Sequence, residues 1–214
     1  MKTIFIIGNI ASGKSAAARH LEGRGARRID LDELARSLYQ PGTPLVQQIA
    51  EEFGWDVLDA DGMVRRDLLA RRAFASPADV ERLNALVHPI LIGRLADMLV
   101  PGVGCSASMP QAPCTVVEVS APRGFEAAFG LADAVIAITA PLEVRRARAI
   151  ERGMDGADFD RRAGVQPAEE DLAALADVVI DNTAAADSLF IELDRALAAL
   201  GVELGAAVPG ETRG

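Results

Sequence analysis

The sequence predicts an α/β fold: a three-layer, doubly wound sheet of five parallel strands with a helical insertion and a lid. Short apolar runs alternate along the chain with longer segments of helical periodicity, which is typical of a parallel sheet covered by helices. The first run, TIFII at residues 3–7, is almost wholly apolar. Such a run indicates a central strand that is buried on both faces.

The segment after this strand reads GNIASGKS at Gly8–Ser15. It matches G-x-x-x-x-G-K-S between a strand and a helix, the context that a phosphate-binding loop requires. The two glycines permit turns that other residues avoid, so the loop N–H groups form a nest for phosphate oxygens. We expect Lys14 to reach the β- and γ-phosphates of ATP and the Ser15 hydroxyl to ligate Mg²⁺. The predicted nucleotide-binding residues are Gly8, Ala11, Ser12, Gly13, Lys14, Ser15, Ala16 and Asn182.

The remaining elements follow in order along the chain. Further strands are predicted at residues 27–30, 115–119, 133–139 and 177–180. Helices are predicted at residues 13–21, 31–38, 44–53, 63–74, 77–87, 90–99, 141–152, 172–176 and 185–200. His88 and Pro89 are expected to break the register between two of these helices, because proline disfavours a helix interior.

These elements divide the chain into predicted parts. The nucleotide-binding core comprises residues 1–40, 100–145 and 176–204. Residues 41–99 form a helical insertion larger than a plain crossover needs, and we expect it to bind the acceptor. Residues 146–175 are predicted to form a lid, residues 101–113 a mobile loop and residues 205–214 a flexible tail.

Composition limits the partners that the chain is expected to have. Its net charge of −9 argues against a nucleic-acid surface, which needs a basic field. No apolar run approaches the roughly 20 residues of a membrane span, and no signal-peptide layout is present. We therefore expect a cytoplasmic protein, a monomer or weak homo-oligomer, with no membrane partner. Cys105 and Cys114 are interpreted as free thiols rather than a disulfide or half a metal site.

Two carboxylates follow the second predicted strand, Asp30 and Asp32. In a kinase, one carboxylate here could accept the proton of an acceptor hydroxyl while the other orients magnesium or water. The structural alternative is that Asp30 caps the next helix and Asp32 favours its dipole. Spacing alone leaves both interpretations open.

Four arginines, at positions 145, 146, 148 and 152, lie before and at the hinge of the predicted lid. Arg148 and Arg152 are four residues apart, so they share one helix face. We expect this face to meet the transferring phosphoryl group when the lid closes. The alternative is a solvated helix C-terminus, where arginine is also favoured.

Each of three further features allows two interpretations. Arginines at 65, 66, 71 and 72 could hold an anionic acceptor, although such clusters are more often solvated helix faces. His88 could act in catalysis, but a turn or capping role is favoured by its position before proline. Glu118 is unusual within a strand, because a buried charge is costly unless it lies at the strand end, where it would face the site.

Taken together, these stretches resemble the dephospho-CoA kinase family from Ile4 to Asn182. The matching segments are GNIASGKS at 8–15, IDLDELAR at 29–36, QPGTP at 40–44, LNALVHPIL at 83–91 and ADVVIDN at 176–182. The resemblance implies transfer of the ATP γ-phosphoryl group to the ribose 3′-hydroxyl of dephospho-CoA, the last step of CoA synthesis, with Mg²⁺. It implies Asp32 as the base, beside Lys14, Arg148 and Arg152. With Arg66 from the second cluster, the predicted substrate-binding residues are Asp30, Arg36, Arg66 and His88.

The sequence departs from the family pattern in three places. Its third strand ends EVSAP at 118–122, where a proline-leucine-leucine-like stretch followed by Glu is usual. Gly153 stands where an acid is usual, and Glu169 and Leu172 stand where basic residues are common. Two alternative functions therefore stay open: another small-molecule kinase of the same fold, acting on a nucleoside or sugar, or a nucleotide-binding protein with impaired catalysis.

Overall fold

A computed structural model of the protein describes residues 1–100, 112–120, 122, 124–183 and 186–205. Within these residues, five strands form one sheet in the order β2-β3-β1-β4-β5, and every pairing is parallel. The strands are β1 (Lys2–Ile7), β2 (Arg27–Asp30), β3 (Cys114–Val119), β4 (Ala134–Thr139) and β5 (Val178–Asp181). The predicted α/β fold with five parallel strands is therefore confirmed.

The helices of the described residues are α1 (Lys14–Glu22), α2 (Leu31–Ser37), α3 (Pro44–Phe53), α4 (Arg66–Ala73), α5 (Pro77–Leu99), α6 (Leu142–Glu151), α7 (Gly156–Ala163), α8 (Glu169–Ala174) and α9 (Ala186–Ala199). Two of them begin at the predicted signals. The Thr43 side chain accepts a hydrogen bond from the Val46 amide at 3.4 Å, and the Ser76 side chain accepts one from the Asp79 amide at 3.2 Å. Proline follows each cap at the first helical position, where its missing N–H costs nothing.

By their contacts, the described residues fall into two compact units. The core unit lies within Met1–Leu31 and Gly104–Gly214, and the helical unit within Asp32–Val103. In the core unit, Ile4 and Ile6 of β1 pack with Leu189, Leu193 and Leu197 of α9, the stripe visible in the sequence. These residues are buried, as expected for the central strand of a doubly wound sheet.

The helical unit has its own apolar core, built on the buried face of α3. Its buried residues are Leu45, Ile49, Ala50, Phe53, Val57, Leu69, Ala73 and Val87. Leu38 and Tyr39, which precede the insertion predicted at residues 41–99, also pack against this cluster. Acceptor binding by this part of the chain stays a prediction.

The predicted break at His88–Pro89 is wrong, because α5 runs without interruption through Pro89. Proline inside a helix removes one hydrogen bond and costs about 3 kcal/mol. Val87, Leu91 and Leu95 are buried at four-residue spacing on both sides of the proline, and their packing offsets that cost. Tertiary burial therefore decides the conformation against the local proline signal.

Two other features differ from the sequence predictions: the start of α4, and the helix α7 within the predicted lid. The helix predicted at 63–74 begins only at Arg66, because Val64 forms an antiparallel bridge with Leu58. Within the predicted lid, α7 is capped by Asp155, whose side chain accepts hydrogen bonds from the Ala157 and Asp158 amides. Phe159 of α7 is fully buried and anchors this helix.

Some predictions fall on residues that the structure does not describe. Residues 101–111 of the predicted mobile loop, residues 206–214 of the predicted tail and Cys105 lie outside the described part. Cys114 is a free, buried thiol, and burial raises its pKa to about 11. No helix in the described ranges is both long and apolar enough to span a bilayer.

Candidate active site

The phosphate-binding loop joins β1 to α1 and depends on both of its glycines. Gly13 has φ 111°, and a Cβ at this position would lie 2.2 Å from Asn182 Nδ2. A Cβ on Gly8 would lie 2.6 Å from Ser12 Oγ and 2.7 Å from a backbone oxygen of β4. Asn182 Nδ2 donates a hydrogen bond to the Ser12 carbonyl at 2.7 Å. Asn182, which follows β5, is thus a structural support of the loop as well as a predicted nucleotide-binding residue.

The loop backbone is also strained at Ala11. Its φ of 60° is the only positive value at a non-glycine residue in the described ranges. Backbone in this region is costly for a residue with a Cβ and concentrates at functional sites. The strain therefore agrees with a loop shaped for binding rather than for stability.

Glu118 connects the loop to the carboxyl end of β3. In the sheet it lies beside Ile6 of β1, close to where the loop begins. Its Oε1 accepts a hydrogen bond from Lys14 Nζ at 3.0 Å and another from the Ser15 hydroxyl. Lys14 Nζ also donates to Ser120 Oγ at 2.9 Å. The two reactive side chains of the motif therefore converge on one buried carboxylate.

The other oxygen of this carboxylate faces β2. Glu118 Oε2 accepts a hydrogen bond from Arg28 Nη2 at 2.7 Å, and the same nitrogen lies 3.1 Å from Asp30 Oδ2. Burial alone would raise the pKa of Glu118, but the Lys14 charge and the hydrogen bonds from Ser15, Arg28 and Lys14 outweigh it and lower the pKa to about 2. Glu118 is therefore anionic at neutral pH.

These residues fit a nucleotide with Mg²⁺. The Ser15 hydroxyl and the Glu118 carboxylate are adjacent oxygen ligands of the kind that Mg²⁺ prefers. In the described part of the chain, no three His, Cys, Asp or Glu side chains group into a metal cage. Mg²⁺ at such a site is usually held by one or two protein oxygens together with substrate phosphates.

The loop has a cleft over it, and buried polar atoms without a partner occur in the loop and in α6. Ser12 Oγ and Arg148 Nη1 are buried and have no hydrogen-bond partner among the described residues. A cleft of about 40 Å³ lies over the loop. Arg152 lines this cleft together with the predicted nucleotide-binding residues Ala11, Gly13, Lys14, Ser15 and Ala16. The structure thus places Arg152 at the loop cleft, while its catalytic role stays a prediction.

A second network fastens the loop to the segment between α7 and α8. The Ile10 amide donates to Gln166 Oε1 at 2.9 Å, and Asn9 Nδ2 donates to Glu169 Oε1 at 2.8 Å. Arg145 Nε forms an ion pair with the same Glu169 oxygen at 3.1 Å, and Arg145 Nη1 donates to the Ile10 carbonyl at 3.4 Å. Glu169, an acid where the family pattern is commonly basic, therefore holds the loop in place.

The four arginines before the predicted lid have different surroundings. Arg145 is buried against the loop, whereas Arg146 forms an exposed pair with Asp160 at 2.9 Å. Arg148 is half-buried and Arg152 is exposed at the loop cleft. The two arginines chosen from the sequence are thus the two that the structure leaves without a carboxylate partner among the described residues.

The other predicted site residues lie in the helical unit. Asp32 and Arg36 are exposed one turn apart on α2, and His88 is half-buried in α5. Arg66 is exposed at the start of α4, whereas Arg71 and Arg72 of the same cluster pair with Asp67 and Asp56. The pairing supports a structural interpretation for those two arginines. An anion-binding role for the cluster therefore rests on Arg65 and Arg66, which are both exposed, and Arg66 is the one predicted to bind substrate.

Sequence reasoning missed Arg28, Arg145 and Gln166, and it singled out Glu118 without assigning it a role. Arg28 precedes Asp30 by two residues on a strand, so the alternation of side chains places both on one face. That spacing is a signal that was available in the sequence. Arg145 and Gln166 carried no such signal, because each contacts loop residues more than 130 positions away in the chain.

A parallel sheet with a phosphate-binding loop after its first strand is the fold of the phosphate-loop class, which includes small-molecule kinases. The shikimate kinase from Acinetobacter baumannii has this fold, with a TM-score of 0.51 at 12% sequence identity over 94% of this chain and 93% of that one. The dephospho-CoA kinase from Campylobacter jejuni has a TM-score of 0.62 at 21% identity over 94% of this chain and 98% of that one. TT1252 from Thermus thermophilus has a TM-score of 0.73 at 30% identity, covering 93% of this chain and 97% of that one.

Sequence comparison gives the particular family. The family model for dephospho-CoA kinase (CoaE) matches residues 2–187. The dephospho-CoA kinase of Anaeromyxobacter dehalogenans is 38% identical over 212 residues, which covers 98% of this chain and 97% of the relative. That of Corynebacterium diphtheriae is 36% identical, covering 88% of this chain and 92% of the relative. The chain belongs to the dephospho-CoA kinase family.

Proposed function

We propose that this protein is a phosphotransferase that moves the γ-phosphoryl group of ATP to the ribose 3′-hydroxyl of dephospho-CoA. The product is CoA, and the reaction is the last step of its biosynthesis. The observation that carries the proposal is the convergence of Lys14 and Ser15 on the buried Glu118 carboxylate, in a chain of the dephospho-CoA kinase family. Location in the cytoplasm and a monomeric or weakly oligomeric state belong to the same proposal.

On the donor side, the loop amides and Lys14 would bind the ATP phosphates. The side chains that would hold Mg²⁺ are the Ser15 hydroxyl and the Glu118 carboxylate, which are already in contact. The ion supplies neutralisation of charge on the phosphate oxygens. Phosphoryl transfer needs little covalent chemistry from the protein, so positioning of the donor is the main contribution of these residues.

On the acceptor side, Asp32 is the proposed base that takes the proton of the 3′-hydroxyl. Asp30 would orient the acceptor at the end of β2, and Arg36, Arg66 and His88 would bind the anionic and polar groups of dephospho-CoA. The exposure of Asp32 and Arg36 on one face of α2 supports this assignment, because both side chains are open to a ligand. A positioned base of this kind contributes about 10²–10⁴-fold to a rate.

Two arginines would neutralise the transferring group. Arg152 lines the loop cleft, and Arg148 has a buried nitrogen without a hydrogen-bond partner among the described residues. A cation that lies where negative charge develops lowers the barrier most when its environment excludes water. Arg148 belongs to α6, and Arg152 directly follows this helix. Arg145 of the same helix is fixed against the loop by its hydrogen bond to the Ile10 carbonyl.

The experiment is a panel of acceptors. The purified protein is mixed with ATP, Mg²⁺ and one of dephospho-CoA, shikimate, gluconate or a nucleoside, and ADP release is followed. We expect saturable turnover with dephospho-CoA and none above background with the others. Turnover with another acceptor and none with dephospho-CoA would overturn the acceptor assignment. ATP binding without turnover on any acceptor would instead indicate impaired catalysis.

A further inference from the structure

Arg28 lies on β2 outside the phosphate-binding motif, and yet it contacts two carboxylates of the site. Its Nη2 is 2.7 Å from Glu118 Oε2 and 3.1 Å from Asp30 Oδ2. The side chain is 20% exposed, so these charge-assisted hydrogen bonds are largely shielded from water. A long cation in this position costs conformational entropy and desolvation, which suggests that the site needs it.

The register of the sheet explains why a cation is needed at the position of Arg28. Asp30 and Glu118 are direct partners at the carboxyl ends of the parallel strands β2 and β3. Like charges in direct opposition destabilise a strand pair. Arg28 precedes Asp30 by two residues and therefore projects from the same face, and its guanidinium contacts both carboxylates.

The two oxygens of Glu118 have different partners. Oε1 accepts from Lys14 and Ser15, whereas Oε2 accepts from Arg28. In the proposed function, a nucleotide draws Lys14 to its phosphates and Ser15 to Mg²⁺. Arg28 then remains as the side-chain cation on Glu118 Oε2, since the nucleotide and Mg²⁺ compete for the partners of Oε1 alone.

We propose that Arg28 is a positioning residue of the nucleotide site. Its guanidinium neutralises the Asp30–Glu118 pair, so that Glu118 keeps its place while it releases Lys14 to the phosphates. Without Arg28, Lys14 is the remaining side-chain countercharge of the buried Glu118 carboxylate in the nucleotide-free protein, so it is released less readily. The inference rests on the proposed function only in that Lys14 binds the phosphates of a nucleotide.

The test is calorimetric titration of ADP with Mg²⁺ into the wild-type protein and Arg28→Met. We expect the dissociation constant to rise by about tenfold, the effect of losing one charge-assisted hydrogen bond in the network. Arg28→Lys keeps the charge and is expected to restore part of the affinity. Arg27→Met removes the neighbouring arginine, which projects from the opposite face of β2, and is expected to change the dissociation constant by less than about twofold.

A double-mutant cycle identifies the route of the effect. In a Glu118→Gln background there is no anionic partner to retain Lys14, so adding Arg28→Met is expected to leave ADP affinity unchanged. An equal loss of affinity in both backgrounds would overturn the proposal, because Arg28 would then act on the nucleotide as a distant charge. The proposal would also be overturned if Arg28→Met, with Glu118 intact, bound ADP as tightly as the wild type and differed only in a lower melting temperature.

The test of Arg28 depends neither on the folding of one particular variant nor on turnover. If Arg28→Met does not fold, Arg28→Lys replaces it in the same cycle, with a smaller loss that Glu118→Gln must still abolish. ADP titration needs no acceptor, so it is independent of turnover. Wild-type protein that binds ADP but does not phosphorylate dephospho-CoA would overturn the proposed function and leave the result on Arg28 standing.

Discussion

The core unit buries several charged side chains, whereas the described part of the helical unit buries none. Lys14, Glu118 and Arg145 of the core unit are each less than one-tenth exposed. In the described part of the helical unit, no polar or charged residue is buried. Its ion pairs, such as Arg72 with Asp56 and Arg82 with Glu52, lie at the surface.

This difference separates charged residues that serve the chemistry of the site from residues that stabilise the fold. A buried charge is costly unless it is paired, and an apolar replacement of the whole set is often as stable. The core unit nevertheless keeps a buried network at its phosphate-binding loop, so the network is explained by chemistry rather than by stability. Exposed pairs contribute little to stability. The helical unit is therefore held by its apolar core, and its free surface cations are available to an anionic ligand.

The largest effect that sharpens this comparison is expected for Lys14→Ala. Loss of the cation that meets the phosphates should lower the rate of phosphoryl transfer by at least about 10²–10³-fold and weaken ATP binding. Steady-state kinetics and ATP titration measure the two effects. Lys2→Ala is the matched control, because Lys2 is the other lysine of the chain and lies at the opposite end of β1. A similar loss in both variants would contradict the role of Lys14.

Asp32→Asn tests the helical unit in the same way. The substitution should lower kcat by about 10²-fold while ATP affinity stays within a few-fold, because the base acts on the acceptor and not on the donor. Single-turnover kinetics and ATP titration separate the two. Full kcat in this variant would mean that Asp32 only stabilises the first turn of α2.

Glu118 predicts a dependence of stability on pH. Its folded-state pKa of about 2 lies below its ordinary value of 4.5, so its contribution is complete above pH 4.5 and is lost as pH falls through 2. At neutral pH this difference is worth on the order of 3 kcal/mol of unfolding free energy. Urea unfolding of the wild type and Glu118→Gln should therefore show a gap that shrinks by roughly 2 kcal/mol between pH 6 and pH 3. A gap independent of pH would show that Glu118 is not held as an anion.

The smallest effect is expected for the surface of the helical unit. Arg71 and Asp67 form an exposed pair one turn apart on α4. Because solvent screens such pairs, Arg71→Ala should leave the unfolding midpoint without a resolvable shift. A clear loss of stability would contradict the view that the apolar core alone holds this unit. A loss of activity without a loss of stability would extend acceptor binding from Arg66 to Arg71.

Local patterns explain why much of the fold could be predicted from the sequence. The TIFII strand, the glycine and lysine positions of the loop and the Thr43 and Ser76 caps each depend on residues within a few positions of one another. Their conformations follow from backbone sterics and short-range hydrogen bonds, which the sequence displays directly. The conformation of the phosphate-binding loop was accordingly predictable, while the roles of its residues stay predictions.

What could not be predicted depends on distant partners. The contact of Arg28 with Glu118 joins residues 90 positions apart and requires that β2 lie beside β3. The continuity of α5 through Pro89 is decided by burial on both sides of the proline and not by the dipeptide itself. The negative charge of Glu169 is unfavourable for a nucleotide site, and its contacts with Asn9 and Arg145 reveal a supporting role that the sequence does not display.

One measurement tests the central claim most directly: the fate of the γ-phosphoryl group. ATP labelled with ¹⁸O in that group is incubated with the protein, Mg²⁺ and dephospho-CoA, and the products are analysed by mass spectrometry with fragmentation of the ribose. The account predicts that the label appears as a phosphate on the ribose 3′-oxygen, in amounts equal to the ADP released, and that Lys14→Ala abolishes it. Label recovered only in inorganic phosphate, or on another position of the acceptor, would contradict it.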